Sequence, residues 1–210
     1  LMRTLDKLPV EMDHLLAGLV TLGYGSSPIS PDRLRELVDR FGSIFIQLYG
    51  MAEIASIGTL LRKNDHTLGL DNRQELLASC GQPSYAVAVR VVNDSGNDVQ
   101  VGERGEVIFA GPHVMKGYFR DKERTQEVLI DGWMHSGDIA EISEDGFIFI
   151  VDRKKNLIIR GGLNIAPTEI ENILYRHEQV LEASVVGIPD PEWGEAIIAV
   201  VALVDGATVS

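Results

Sequence analysis

Apolar and polar positions along the first sixty residues predict a strand, a helix and a second strand. The apolar run 19–22 enters Gly23-Tyr24-Gly25-Ser26-Ser27-Pro28. Such a run ending in glycine and serine reads as a buried strand followed by a loop. Ser30 suits an N-cap and Pro31 the first helical position. Leu34, Leu37, Val38 and Phe41 then share one face at helical spacing, and Gly42 ends the helix. The next apolar run, 44–48, is strand-like and ends in Tyr49-Gly50. This order predicts an α/β layer whose strand-end loops are open to a ligand.

From residue 80 the period changes. Positions 86–92 alternate with period two, and 93–98 is a dense turn signal. Further strands are expected at 107–109, 139–142 and 147–151, the last two joined as a hairpin by Glu144-Asp145-Gly146. One helix interrupts them at 121–129. After Arg153, Pro167 starts a helix with Ile170, Ile173 and Leu174 on its inner face. Strands follow at 180–188 and 196–204, separated by Pro189-Asp190-Pro191. The fold class expected is α/β, in the mixed α+β sense, with a β-rich middle. No internal repeat or low-complexity segment occurs.

The 210 residues suffice for one ordinary domain or two small ones, and 45% of them are hydrophobic, so a sizeable core is available. The net charge of −12 argues against a nucleic-acid binder and against attachment to an anionic membrane. An anionic ligand would need a local basic cluster or aimed backbone amides. Cys80 is the only cysteine. An intrachain disulfide or a cysteine-built zinc site is therefore ruled out, which fits a reducing cytoplasm. The apolar run 15–22 is too short to span a bilayer, which takes about 20 residues. Acidic Asp6, Glu11 and Asp13 precede it, unlike the positive start of a signal peptide. A cytoplasmic protein without a transmembrane segment is expected.

Four segments could carry chemistry. Asp138 ends His135-Ser136-Gly137-Asp138 and sits just before the strand expected at 139. A carboxylate held there can accept two hydrogen bonds from a vicinal diol, each contributing about 1.5–3 kcal/mol. Taken alone, an aspartate capping a turn accounts for it better. In Asp152-Arg153-Lys154-Lys155, three cations follow one anion and Arg160 adds a fourth. This suits a phosphate-rich ligand, although a solvated charge run is the commoner case. Gly161 and Gly162 permit close backbone approach along a thin ligand or, equally, a plain turn. Tyr49-Gly50-Met51-Ala52-Glu53 puts a ring and a carboxylate at a strand end. The ring could stack on a base and the carboxylate could hold Mg²⁺, or Tyr49 and Met51 could be core. His113, His135 and His177 show no metal-ligand spacing. A nucleophile elbow and a dinucleotide fingerprint are both missing.

The order of these segments is more specific than any one of them. Gly25-Ser26-Ser27-Pro28, Tyr49 to Glu53, Gly102 to Val107, His135 to Asp138 and the run from Asp152 to Glu171 together resemble the adenylate-forming superfamily. That group holds acyl- and aryl-CoA synthetases, peptide-synthetase adenylation domains and beetle luciferases. The run 152–171, with Val185-Val186-Gly187-Ile188-Pro189-Asp190 and Gly194-Glu195, is similar to the acyl-CoA synthetase version.

The resemblance implies two half-reactions. A carboxylate attacks the α-phosphate of Mg-ATP to give an acyl-adenylate and pyrophosphate, and the thiol of coenzyme A then displaces AMP. It implies that residues 1–79 are the C-terminal part of the α/β layer of a large domain, 80–154 its β-rich subdomain, and 155–210 the first half of a mobile C-terminal domain. Tyr49 would stack on adenine, beside a nucleotide pocket lined by Gly25, Ser26, Ser27, Gly50, Met51 and Ala52. Asp138 and Arg153 would hold the ribose hydroxyls. Glu53 would bind Mg²⁺ as the catalytic carboxylate, Lys155 would be the hinge, and Gly161 and Gly162 would line the coenzyme A tunnel. The partners implied are a carboxylic acid, ATP and coenzyme A, and a homodimer of the parent is admitted.

The family usually has threonine where Ala52 stands. A lost hydroxyl contact costs about 0.5–1.5 kcal/mol, at most roughly tenfold in rate. The phosphate-wrapping loop would lie before residue 1 and the adenylation lysine beyond Ser210. Losing one charge-stabilising donor typically costs about 10²–10³ in rate, so the chain alone is expected to be inactive. The parent expected is an AMP-forming acyl-CoA ligase for a fatty or other aliphatic acid. A fatty-acyl-AMP ligase or a peptide-synthetase adenylation domain is the alternative within the family. A non-catalytic remnant that binds a nucleotide or a partner is the alternative from another class.

Overall fold

The computed structural model describes residues 9, 11, 13, 16–26, 29–204, 206 and 207. Asp6, Ser27, Pro28 and Ser210, named above, and Leu15, the first position of the apolar run 15–22, lie outside the described residues.

The first sheet contains β1 (Leu22–Gly25), β2 (Phe45–Tyr49), β3 (Thr59–Leu61) and β4 (Gln82–Pro83), in that order. Only β1 and β2 run parallel. Helix α1 (Pro31–Phe41) makes their crossover, and α2 (Lys63–Asp71) follows β3. The start of α1 is as expected: Ser30 Oγ accepts from Arg33 N at 3.3 Å and satisfies one free amide of the first turn. Its apolar face, Leu34, Leu37 and Val38, packs with Leu22, Tyr24 and Phe45. The strand expected at 19–22 begins instead at Leu22 and takes in Gly23, Tyr24 and Gly25. The parallel ladder to β2 reaches the pair Gly25 and Leu48, so the glycines belong to the strand.

The second sheet is antiparallel. It contains β5 (Ala88–Val92), β6 (Gly105–Ala110), β7 (Leu129–Ile130), β8 (Trp133–Ile142) and β9 (Ile148–Arg153), with α3 (Lys122–Val128) before β7. Strand β8 is central, with β6 on one edge and β7 and β9 on the other. It has ten residues where four were expected. The Ser136-Gly137 signal survives as an irregularity inside the strand: the β6–β8 register shifts there, Gly137 has φ 73°, and its N–H donates to the Glu106 side chain instead of a ladder carbonyl. The two sheets join where Cys80 N donates to Ile148 O at 2.8 Å and Ile148 N to Gly81 O at 2.9 Å. Gly81 has φ 88°, and a side chain there would strike Leu60 O at 2.0 Å. A side-chain bond from Tyr49, at the end of β2, to Asp138 in β8 also links the two sheets.

The third sheet has the order β11 (Leu163–Ile165), β10 (Ile158–Arg160), β13 (Gly194–Leu203) and β12 (Val180–Asp190), all antiparallel, with α4 (Pro167–Leu174) lying on β12. The break expected at Pro189-Asp190-Pro191 falls later. Pro189 pairs with Glu195 inside the ladder, and Asp190 Oδ1 accepts from Glu192 N and Trp193 N to make the turn. Ile173 is not an inner residue: it is 65% exposed. Glu171 and Tyr175, four apart, bond to Val185 N and Ala183 O on β12. Ile173, two positions after Glu171, is carried about 200° round the helix to the far side.

The α/β expectation with mixed α+β character therefore holds for the described residues, although most strand pairing is antiparallel. Among those residues no helix is long and apolar enough to cross a membrane.

Candidate active site

Strands β1 and β2 are parallel neighbours, so their carboxyl ends open at one edge, where ligands of open α/β sheets bind. Gly25 ends β1 beside Leu48, whose carbonyl oxygen would lie 2.2 Å from any Cβ added at Gly25. Only glycine fits. Ser26 follows with φ 68°, which turns the chain away from the sheet.

Tyr49 ends β2 at the same edge. Its ring lies 6.1 Å from that of Phe109, tilted by 45°. Its hydroxyl donates to Asp138 Oδ2 at 2.7 Å. Burial, and then the charge of Asp138, push the phenol well above the usual tyrosine range, so it stays a donor at any physiological pH. After Tyr49 the chain doubles back tightly. A Cβ on Gly50 would lie 2.7 Å from Ser56 O, and Ser56 N donates to Met51 O at 2.9 Å. The 3₁₀ turn Ala52–Ile54 inside this bend carries Glu53, with Ala52 exposed and Met51 packed against the core of the second sheet.

Asp138 lies within β8, not in a loop before the strand as expected from its sequence. The β8–β9 register sets it directly opposite Arg153, whose Nε is 3.1 Å from Oδ1. One carboxylate oxygen thus meets Tyr49 and the other Arg153, and the residue is 8% exposed. Arg153 is 56% exposed on its side chain, so the ion pair itself adds little stability. Two further bonds fix the Asp138 backbone. Ser136 Oγ accepts from Asp138 N at 3.0 Å while donating to Val107 O at 2.6 Å. Glu106 Oε1 accepts from Gly137 N at 2.9 Å, and its Oε2 lies 3.3 Å from His135 Nδ1.

Tyr49, Asp138 and Arg153 therefore form one directly bonded cluster, with Glu53 four residues along the chain from Tyr49 and Gly25-Ser26 at the same sheet edge. Lys155, Gly161 and Gly162 stand apart from it. Lys155 is exposed in the 3₁₀ turn Lys154–Asn156 between β9 and β10. Gly161 and Gly162, with φ 57° and 80°, turn the β10–β11 hairpin, and Gly161 N donates to Trp193 O at 2.8 Å. Two sets of bonds hold the third sheet to the second. Asp152 Oδ2 accepts from Thr168 N and Thr168 Oγ1 at the first turn of α4, at 3.0 and 2.9 Å. Arg104 spans Glu141 and Glu169 at 2.9 and 2.5 Å.

Ser136, Glu106 and Asp152 lay within the quoted segments but received no role of their own, and Tyr118 lay outside them. Tyr118 OH donates to Glu53 Oε1 at 2.8 Å across 65 residues of sequence, and no local pattern marks it. The pairing of β6 with β8 would have pointed to Glu106, which lies opposite Ile139.

Cys80 lies behind this cluster, 4% exposed, and burial pushes its thiol from the ordinary 9.0 up to about 12. The unfolded thiol loses its proton first as pH rises, so this group's contribution is fully present below about pH 9 and is lost as pH climbs toward 12. Folded protein at pH 8 is expected to resist iodoacetamide, and urea-unfolded protein to react completely. Equal labelling rates in the two states would contradict the burial.

The chain matches the AMP-binding enzyme family over residues 1–119 and the AMP-binding enzyme C-terminal domain over residues 169–210. It is 42% identical over 188 residues to the medium/long-chain-fatty-acid–CoA ligase FadD8 of Mycobacterium tuberculosis, covering 90% of this chain and 32% of that protein. It is 44% identical over 194 residues to a feruloyl-CoA synthase of an Amycolatopsis species, covering 92% of this chain and 38% of that protein. The chain thus spans about a third of the length of these relatives. Its fold superposes on the amide bond synthetase McbA from Marinactinospora thermotolerans with a TM-score of 0.87 at 36% identity, covering 100% of this chain and 42% of that one. Sequence, fold and the order of the motifs agree, and the chain belongs to the AMP-binding enzyme family, within the adenylate-forming superfamily.

Proposed function

We propose that this chain is part of a longer ATP-dependent, AMP-forming acid–thiol ligase. The observation that carries the reading is the Asp138 carboxylate, held on one oxygen by Tyr49 and on the other by Arg153 at a strand-end opening. A carboxylate fixed this way is preorganised to accept from two neighbouring hydroxyls, which is what a ribose presents. Arg153 shares those hydroxyls from the next strand. The Tyr49 ring then stacks on adenine, against the segment Gly25-Ser26-Ser27 and the bend Gly50-Met51-Ala52.

Glu53 is the residue that would hold Mg²⁺. Mg²⁺ typically takes one or two protein carboxylates together with substrate phosphates. Among the described residues no group of three or more His, Cys, Asp or Glu side chains gathers into a metal cage, so a single carboxylate beside a nucleotide pocket fits that habit. Bound there, Mg²⁺ would neutralise charge on phosphoryl oxygens.

Within the parent, we assign residues 1–79 and 80–154 to the large domain and 155–210 to the mobile one. Lys155 is the hinge, and rotation there carries the Gly161-Gly162 turn to the thiol path. The acid is fatty or otherwise aliphatic and the thiol is coenzyme A. The enzyme is placed in the cytoplasm. Support for the acid comes from the FadD8 relative, while the feruloyl-CoA synthase and McbA mark the alternatives of an aromatic acid and an amine acceptor.

The test is AMP release by the full-length protein over a panel of carboxylic acids, with and without coenzyme A. Release that needs both an aliphatic acid and coenzyme A is expected. Release that needs an amine in place of the thiol would overturn the acceptor, and release with aromatic acids only would overturn the acid.

A further inference from the structure

The Glu53 carboxylate does not stand alone. Loop 111–121, between β6 and α3, closes over it at two points. Met115 N donates to Glu53 O at 2.7 Å, and Tyr118 OH donates to Glu53 Oε1 at 2.8 Å. Glu53 Oε2 has no hydrogen bond or ion pair among the described residues. Tyr118 is itself fixed. Its backbone N–H donates to Thr125 Oγ1 at 2.9 Å, and the Arg124 guanidinium lies over its ring, 4.6 Å from the centroid. Gly117, with φ 146°, lets helix α3 pack onto the loop, where a Cβ would lie 2.8 Å from Thr125 Cγ2.

We propose that Tyr118 is a positioning residue for the Mg²⁺ ligand: it locks Glu53 through Oε1 and leaves Oε2 presented to the cation. This rests on the reading of Glu53 given above. A carboxylate on the short 3₁₀ turn would otherwise sample several rotamers, and a ligand that must be ordered as the ion binds binds it more weakly. Tyr118 touches neither nucleotide nor acid in this role. Its effect is on metal affinity and not on the turnover of the loaded enzyme.

The experiment replaces Tyr118 by phenylalanine in the full-length protein and uses Mn²⁺ as the probe. Free Mn²⁺ is read by electron paramagnetic resonance in the presence of ATP, and the Mg²⁺ dependence of acid-dependent pyrophosphate exchange is read beside it. Tyr118→Phe is expected to weaken Mn²⁺ binding and raise the half-saturating Mg²⁺ about tenfold, the size of one hydrogen bond to a charged group. Exchange at saturating Mg²⁺ should stay within about twofold of wild type. In a Glu53→Gln background the same change should do nothing further. Thr125→Val, which frees the Tyr118 backbone and spares its ring, should shift Mn²⁺ affinity the same way by about threefold. Unchanged Mn²⁺ affinity in both Tyr118→Phe and Thr125→Val overturns the role. So does an equal shift with and without Glu53. Wild-type exchange that needs no acid, or that is absent, overturns the parent reading and this inference together.

Discussion

Asp138→Ala in the full-length protein is expected to lower kcat/KM for ATP about 10²–10³-fold, the largest effect of any single side chain described here. Each hydrogen bond to the carboxylate is worth about 1.5–3 kcal/mol, and removing the group forfeits two of them to the ligand. It also leaves the Tyr49 hydroxyl and the Arg153 guanidinium without the acceptor that orients them. The loss should fall mainly on KM, because the ribose contacts are the same in the ground state and in the transition state. Deoxy-ATP analogues supply the control. Wild type should lose most of its efficiency when a ribose hydroxyl is removed, and the variant should lose little more, since the partner is already gone. An unchanged KM for ATP, or equal sensitivity to the deoxy analogues in both proteins, would remove Asp138 from the hydroxyl contact.

Lys155→Pro is the second large expectation. Lys155 sits in the exposed 3₁₀ turn Lys154–Asn156, the short link between β9 of the second sheet and β10 of the third. A rotation of the third sheet must be absorbed by a few backbone dihedrals there. Proline fixes φ near −65° and also restricts the residue before it. Formation of the acyl-adenylate, read as pyrophosphate exchange, should stay within about threefold of wild type, and thioester formation should fall about 100-fold or more. The Asp152–Thr168 and Arg104–Glu169 contacts bear on the outcome, because they hold the arrangement seen here and must break if the sheet swings. Equal loss of both half-reactions would argue that the turn is merely structural.

What was legible in the sequence was local. Ser30 and Pro31 announced α1 because capping and a fixed φ act within one turn, and Leu34, Leu37 and Val38 announced its buried face. The stretch from Ser136 to Asp138 read as a loop because serine and glycine are loop formers. Pairing of Asp138 with Arg153 on β9 and side-chain bonds of Ser136 and Gly137 to β6 carry the strand through it, and no window along the chain contains those partners. The site was legible for a different reason. Tyr49 and Asp138 lie 89 residues apart, and only the order of the motifs brought them together before the fold did. Tyr118 and Glu106 fall outside those motif roles and emerged only from contacts across strands and loops. Ile173 shows the limit of helical spacing: periodicity finds an apolar stripe, but the bonds of Glu171 and Tyr175 to β12 choose which face turns inward.

The claim that this cluster serves an adenylate-forming enzyme is tested most directly by incorporation of labelled pyrophosphate into ATP by the full-length protein, without any thiol, with and without a carboxylic acid. Exchange that depends on the acid and on Mg²⁺ is expected, because the adenylate forms reversibly before the thiol is needed. No exchange with any acid of an aliphatic and aromatic panel, or exchange that proceeds equally well without one, would contradict it.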